Sequence, residues 1–172
     1  WPAAQPTPPS LAGAYSTNMM KVLVTLITYE DWVWSHPNPA LVANYMLPGG
    51  NAYEGELDSV THLAHNGWHT DPSPTEIDWL AITVAPKQLL LINHKRAIIN
   101  KRPAYTPATL TVVINQKPSS FMNRSGVVVA RSSGKIGKIA FSETLSQGSD
   151  AQWRIFDVYR LNPLHGLGSL RK

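Results

Sequence analysis

One stretch, Met19 to Trp34 (MMKVLVTLITYEDWVW), constrains the fold more than any other part of the chain. The polar residues at its start fall at three- and four-residue steps and form one narrow stripe on a helix; they are Asn18, Lys21, Thr25 and Thr28. Most of the remaining circumference is apolar, and a helix of this kind must be covered on several sides. Asp31 breaks the pattern, because it lies in line with Ile27 and Trp34 on a face predicted to be buried.

Composition indicates one well-packed domain rather than a disordered chain. The 172 residues are 43% hydrophobic and include six tryptophans, whereas charged residues make up only 15%, below the usual quarter. A chain of this length suits one domain with tails. The apolar share is therefore sufficient for a sizeable core.

Charge and the lack of cysteine exclude several classes of function. The net charge of +4 is mild and the basic residues are scattered, apart from the clusters 94–96 and 101–102, so we expect no nucleic-acid partner. We interpret these two clusters as solvated loops and an edge strand, with weak attraction to an anionic surface as the alternative. Without cysteine, disulfides, thiol catalysis and zinc–thiolate sites are excluded, but the cellular compartment stays open.

The two ends differ in composition from the interior. Residues 1–13 are predicted to be a proline-rich linker, because Trp1 to Ser10 is crowded with prolines and carries no charge. Such a segment is semi-rigid and extended, and either follows a membrane anchor or is a plain flexible terminus. Residues 14–162 are the predicted domain and 163–172 a flexible tail. No stretch can span a membrane as it stands, so we expect membrane attachment only through an anchor ahead of the chain.

Predicted helices precede predicted strands. After the first helix, Asn38-Pro39 starts a short helix, and a third runs from Asn51 to about Asn66. The predicted strands are 77–84, 89–99, 109–114, 127–130, 136–141 and 153–161. This order indicates an α+β fold in which N-terminal helices pack in the concave face of a curved, mainly antiparallel sheet.

The last predicted strand, WRIFDVYRL, alternates in character. Strict alternation would place Val158 and Arg154 on one face of this strand. Asp157 and Ile155 would then lie on the other face. Each of Asp78 and Asp157 interrupts an apolar strand face, and we expect each to pair with an arginine such as Arg154 or Arg160.

The pattern resembles the nuclear-transport-factor-like superfamily, also called the cystatin-like cone fold. The resemblance covers 14–161 and rests on a long apolar helix ending YEDWVW, two short helices, and strands closing with WRIFDVYRL. It implies a bent sheet that wraps the first helix and leaves a cone-shaped cavity. The chain is most similar to bacterial extracytoplasmic members, such as assembly proteins of conjugation and type IV secretion. Their placement implies a domain in the periplasm or at the cell surface, tethered through its proline-rich start.

Asp31 is the main candidate for chemistry. On an apolar face its charged form would be desolvated and its pKa raised, as in a general acid or base within a cone pocket. The alternative is a hydrogen-bonded or partly wet carboxylate near the helix end. The predicted ligand-pocket residues are Tyr29, Trp32, Trp34, Trp79 and Trp153, although large aromatics more often fill cores.

The spacing of three histidines is compatible with a metal site, but a predicted helix end between them argues against it. His62, His65 and His69 are spaced by three and four residues, and they would share one face of a continuous helix. Asn66-Gly67 falls before His69 and is predicted to end that helix. We therefore predict no metal site, and no cofactor motif is present.

Two functions follow from these observations. The first is a non-enzymatic extracytoplasmic domain used for assembly or ligand binding, with protein partners or self-association. The alternative is an isomerase, dehydratase or hydrolase with Asp31 as its acid–base residue. A catalytic cone needs two or three convergent polar groups, and the sequence identifies only Asp31 with a reason, which favours the first function.

Overall fold

The computed structural model describes residues 6–71, 74–132 and 137–161. Within them, helices α1 (Met19–Ser35) and α2 (Asn51–Asn66) are accompanied by 3-10 helices at Ala12–Tyr15 and Pro39–Asn44. The strands are β1 (Trp68–Thr70), β2 (Glu76–Val84), β3 (Ile98–Ile99), β4 (Arg102–Pro103), β5 (Ala108–Gln116), β6 (Ser120–Asn123), β7 (Val128–Arg131), β8 (Gly137–Gln147) and β9 (Trp153–Leu161).

The strands form antiparallel sheets against which the helices pack, so the predicted α+β class is confirmed. The main sheet has the order β2-β5-β8-β9, a smaller sheet has the order β1-β6-β7, and β3 pairs with β4. All of these strand pairs are antiparallel. None of the helices in the described residues has the length and apolarity needed to cross a bilayer.

Helix α1 supplies much of the core. Asn18 caps it by accepting a hydrogen bond from the Lys21 amide at 3.1 Å, and it ends at Ser35, ahead of Pro37. Its buried residues pack with the inner faces of β5, β8 and β9; the fully buried ones are Val22, Leu23, Leu26 and Val33. Met20 and Val24 are each 48% exposed, so the predicted cover is incomplete on that side.

A bulge in β9 changes which residues face the core. Leu145 pairs with Ile155 and Thr144 with Asp157, so Phe156 is an extra residue on β9. Val158 therefore packs against the core together with Ile155, and strict alternation was the wrong expectation. Beyond the bulge, the Asp157 carboxylate accepts a hydrogen bond from the first amide of α2, at Asn51, at 2.9 Å.

The outer edge of β9 is occupied by other parts of the chain. The Ile155 amide donates to the Tyr45 carbonyl, and the Leu47 amide donates to the Ile155 carbonyl, each at 2.8 Å. The Asn51 side chain then bonds both backbone groups of Val158, at 2.9 and 3.3 Å. These contacts satisfy backbone groups that an edge strand would otherwise present to solvent.

Several strand predictions need correction. Residues 89–99 form no continuous strand, because a tight turn at 91–94 folds this segment back on itself. β1 and β6 were missed, since each is short and lies where turn residues dominate. β8 continues six residues beyond Phe141, to Gln147.

Neither Asp78 nor Asp157 pairs with an arginine among the described residues. Asp78 pairs with Lys138 at 2.8 Å, and Arg154 pairs with Asp150 at 2.6 Å. Folded structure begins slightly before the predicted boundary, because Leu11 packs on the core at the start of the first 3-10 helix. Residues 1–5 of the predicted linker and the predicted tail 163–172 lie outside the described residues.

Gly50, the residue before α2, packs directly against the β9 bulge. A Cβ built there would overlap the carbonyl oxygen of Phe156, whereas a Cβ at Gly55 in mid-helix would meet no atom within 4 Å. We expect Gly50→Ala to lower the free energy of unfolding by about 2–3 kcal/mol through overpacking. Gly55→Ala, the control, should raise it by about 0.5–1 kcal/mol. Urea unfolding of both variants measures these changes in the free energy of unfolding. A Gly50→Ala variant as stable as the parent chain would contradict the close packing of Gly50 on Phe156.

Candidate binding cavity

A cavity of about 470 Å³ lies where the C-terminal half of α1 meets the main sheet and the segments before β2 and after β5. Its apolar lining comes from the helix, the sheet and the segment that follows the second 3-10 helix; these residues are Ile27, Trp34, Met46, Ile114, Phe141, Ile155 and Val158. The volume falls within the range of small-molecule sites.

Carboxyl groups from two elements converge on this cavity. Glu30 and Asp31 lie on α1 between Ile27 and Trp34, at the three- and four-residue steps that share one helix face. Glu143 lies on β8, two residues after Phe141, so both residues face the cavity from one side of the strand. The strand places Glu143 beneath the helix that carries Glu30, and the charges of the two groups influence each other.

Glu143 has the smallest exposed fraction of these carboxyl groups. It is 7% exposed, and its Oε2 atom has no hydrogen-bond partner among the described residues. Burial disfavours the charged form and raises the pKa of Glu143 to about 7. The group therefore changes charge near neutral pH, and its Oε2 atom is a buried acceptor that no described residue satisfies.

The pKa of Glu30 is raised as well. Burial is the main cause that raises the pKa of Glu30 well above its usual value. Neighbouring negative charges add to this effect, in the order Glu56, Glu143 and Asp31. The shift favours the protonated form of Glu30, which can donate a hydrogen bond.

Glu56 is not part of the cavity lining, but it joins α2 to Trp34 on α1 and to Tyr45. Its Oε1 atom accepts hydrogen bonds from Trp34 Nε1 at 2.6 Å and from the Tyr45 hydroxyl at 2.5 Å. Burial raises the pKa of Glu56, and these two bonds oppose the change. Burial, followed by the charge of Glu56, raises the pKa of Tyr45. Both donors thus hold Glu56 in place and fix the Trp34 indole at the cavity wall.

Asp31 lines the cavity, but both of its oxygens are already engaged. They accept hydrogen bonds from the Thr75 amide at 2.7 Å and from the Thr75 hydroxyl at 2.6 Å. Burial raises the pKa of Asp31, and the two bonds lower it. Asp31 therefore ties α1 to the residue before β2, which corresponds to the hydrogen-bonded alternative for this residue.

The predicted aromatic residues do not converge on one pocket. Trp34 lines the large cavity, and Trp32 lines a second cavity of about 260 Å³. Tyr29 and Trp153 line neither, because both are buried in the core. Trp79 also lines neither and is 42% exposed on β2.

Three carboxylates of this region were not identified from the sequence. Glu30 was overlooked beside Asp31, and Glu56 carries no local signal on its amphipathic helix. Glu143 was missed because the predicted strand stopped at Phe141. Extending the alternation from Ile139 to Leu145 would have placed a glutamate on the apolar face of that strand.

The histidines lie apart from this site. Helix α2 ends at Asn66 and is followed by Gly67 in the left-handed conformation, with φ of 65°, as predicted. His69 consequently lies on β1, while His62 packs edge-on to Trp68 at 5.7 Å. Within residues 6–71, 74–132 and 137–161, no cluster of His, Asp and Glu is arranged to hold a metal ion.

Comparison with known proteins identifies no family. No protein-family profile matches the chain, and no curated protein matches it. Among solved structures, the intermembrane-space region of the chloroplast protein ARC6 is similar, with a TM-score of 0.48 and 9% identity over 85% of this chain and 96% of that chain. A likeness of this degree identifies neither family nor function.

The buried carboxyls make stability depend on pH. Since the folded protein binds a proton at Glu143 up to about pH 7 and the unfolded chain only to about 4.5, stability falls as pH rises between these values. We expect Glu143→Gln to raise the free energy of unfolding by about 3 kcal/mol above pH 7 and to change it little near pH 4.5. Urea unfolding at both ends of this range measures the effect.

Asp58→Asn provides the control for this experiment, because Asp58 is an exposed carboxylate on α2. It should leave the pH dependence as it is in the parent chain. An equal benefit of Glu143→Gln at both pH values would mean that packing, and not the buried charge, is responsible.

Proposed function

We propose that this chain is a non-enzymatic binding domain of the nuclear-transport-factor-like cone type, and that its cavity binds a small organic cation. The observation that carries the proposal is the buried Glu143, which lines a cavity together with Glu30 and Asp31 and whose Oε2 atom has no hydrogen-bond partner among the described residues. The cone assignment is supported by α1 packing on the four-stranded sheet with the cavity at its C-terminal end.

The charge of the lining favours a cation. Its acidic members are Glu30, Asp31, Asp71, Glu76 and Glu143, and its one basic member is Lys117. Lys117 is already paired with Glu76 at 2.6 Å. A protonated amine would supply the hydrogen-bond donor that Glu143 lacks and offset the cost of its burial. The apolar part of the ligand would lie against Ile114, Phe141 and Val158.

Calorimetric titration with a series of alkyl amines tests this proposal, with alcohols and carboxylates of the same shape for comparison. We expect the amines to bind and the carboxylates not to bind. Glu143→Gln should weaken amine binding about ten-fold or more, because a charge-assisted hydrogen bond is lost. Asp58→Asn, outside the cavity, should bind as the parent chain does. Preferential binding of carboxylates would contradict the proposal.

The affinity for amines should also depend on pH and should increase as pH rises. The cation interacts best with ionised Glu143, so affinity should rise as pH increases through about 7, and binding should release a proton. Calorimetry in buffers of different ionisation enthalpy measures this release. Proton uptake would instead indicate a ligand that prefers the neutral acid.

The cellular setting is part of the same proposal. An extracytoplasmic, tethered domain in the bacterial envelope, used in an assembly such as a secretion or conjugation complex, is supported by the resemblance and by the proline-rich start. Self-association is supported by β2, an edge strand of the main sheet with exposed Trp79, Ile82 and Val84. Fractionation of cells making the full-length protein tests the compartment, and analytical ultracentrifugation tests the oligomer.

The second candidate is an acid–base enzyme of the isomerase, dehydratase or hydrolase type. It is favoured by one observation: Glu143 has a pKa of about 7, and burial also raises the pKa of the neighbouring Glu30. A carboxyl that titrates near neutral pH suits proton transfer. Turnover of an amine or carbonyl compound that is abolished in Glu143→Gln would establish it. Binding of such a compound without turnover would instead support the proposed non-enzymatic binding domain.

A further inference from the structure

A projection between β2 and β5, defined here as residues 87–106, lies outside the cavity lining. Its tip is a tight turn in which the His94 amide donates to the Leu91 carbonyl at 2.9 Å and the Leu91 amide donates to the Lys95 carbonyl at 2.7 Å. The base is the β3–β4 hairpin, whose turn residues Asn100 and Lys101 have φ of 45° and 61°.

The tip presents apolar side chains to solvent. Leu90 is 57% exposed, Leu91 is 53% exposed and Ile92 is fully exposed. The backbone behind them is hydrogen-bonded rather than loose, since the Leu89 amide donates to Ala104 at 2.9 Å and the Ala97 amide donates to Leu89 at 2.8 Å. The fold thus holds adjacent large aliphatic residues outside the core, and a contiguous exposed group of this kind marks an interaction site.

The charge of the projection is concentrated and of one sign. It carries five of the fifteen Lys and Arg residues of the chain and none of the eleven Asp and Glu residues. Lys95 and Arg96 follow the apolar tip directly, and both are exposed. At the base, the Arg102 guanidinium lies 4.4 Å from the centre of the Tyr15 ring and fastens the hairpin to the N-terminal 3-10 helix.

We propose that the projection docks on an anionic lipid bilayer, with Leu91 and Ile92 entering the interface and Lys95 and Arg96 contacting the headgroups. Aliphatic side chains on a turn are long enough to enter the shallow boundary between headgroups and acyl chains. The adjacent cations are attracted to the negative potential of an anionic membrane surface. A nucleic acid would instead require aromatic stacking groups or phosphate contacts without an apolar tip. This surface is independent of the cavity and of any ligand bound there.

Co-sedimentation of the full chain with vesicles tests the proposal. We expect binding to phosphatidylcholine vesicles that contain phosphatidylglycerol, weak or no binding to phosphatidylcholine alone, and a decrease with salt. Lys95→Ala with Arg96→Ala should lower the partition coefficient about 25-fold, because each cation contributes a factor of about five. Leu91→Ser with Ile92→Ser should lower it about ten-fold or more.

Matched controls distinguish the projection from general surface effects. Lys21→Ala with Arg131→Ala removes the same charge from other exposed positions, and Val127→Ser with Val128→Ser changes exposed apolar residues elsewhere. Both controls should bind as the parent chain does. Urea unfolding of every variant verifies that it is folded.

A probe at the tip gives a second measurement that does not depend on affinity. The chain has no cysteine, so Ile92→Cys creates a single labelling site for an environment-sensitive fluorophore. We expect its emission to rise and shift to the blue with anionic vesicles, and the Val127→Cys label to change little. Equal responses of both labels, or binding that the controls weaken as much as the tip variants, would overturn the proposal. So would tip-dependent dimerisation without vesicle binding.

Discussion

The burial of α1 against the main sheet is the constraint on which the other features depend. The residues that fill the core from this helix, including Leu23, Leu26 and Val33, also fix the position of the helix end that carries Glu30 and Asp31. Carboxyl groups brought into such surroundings lose hydration, and their pKa values rise unless other groups supply hydrogen bonds. The same packing that stabilises the domain thus raises the pKa values of the carboxyl groups that it buries.

The fold treats these acids in different ways. Asp31 receives two hydrogen bonds from Thr75 and serves as a link between α1 and β2. Glu56 receives two from aromatic side chains and joins α2 to the core. Glu143 and Glu30 line the cavity, and the Oε2 atom of Glu143 has no hydrogen-bond partner among the described residues. Hydrogen-bond partners, rather than residue type, thus distinguish Asp31 and Glu56, which link elements of the fold, from Glu143.

Much of the fold could be predicted from local patterns, and most of the site could not. The bounds of α2, from Asn51 to Asn66, and of β9 were predictable because capping residues and apolar periodicity are local signals. The inward face of β9 was not, because the bulge at Phe156 depends on pairing with a distant strand. Glu143 escaped notice for a related reason: its environment comes from α1, more than a hundred residues earlier. For Asp31, the sequence reveals a charge on an apolar face and allows a hydrogen-bonded carboxylate as the alternative, but it does not identify Thr75 as the donor.

The two edges of the main sheet are unequal. On β9, the segment around Tyr45 and the Asn51 side chain occupy backbone groups at Ile155 and Val158, whereas β2 forms the opposite edge with apolar side chains exposed. A sheet with one sealed edge can add a neighbouring strand on one side only. Pairing of β2 with β2 of a second molecule would occupy that edge, so extension of the main sheet through this pairing would stop at two molecules.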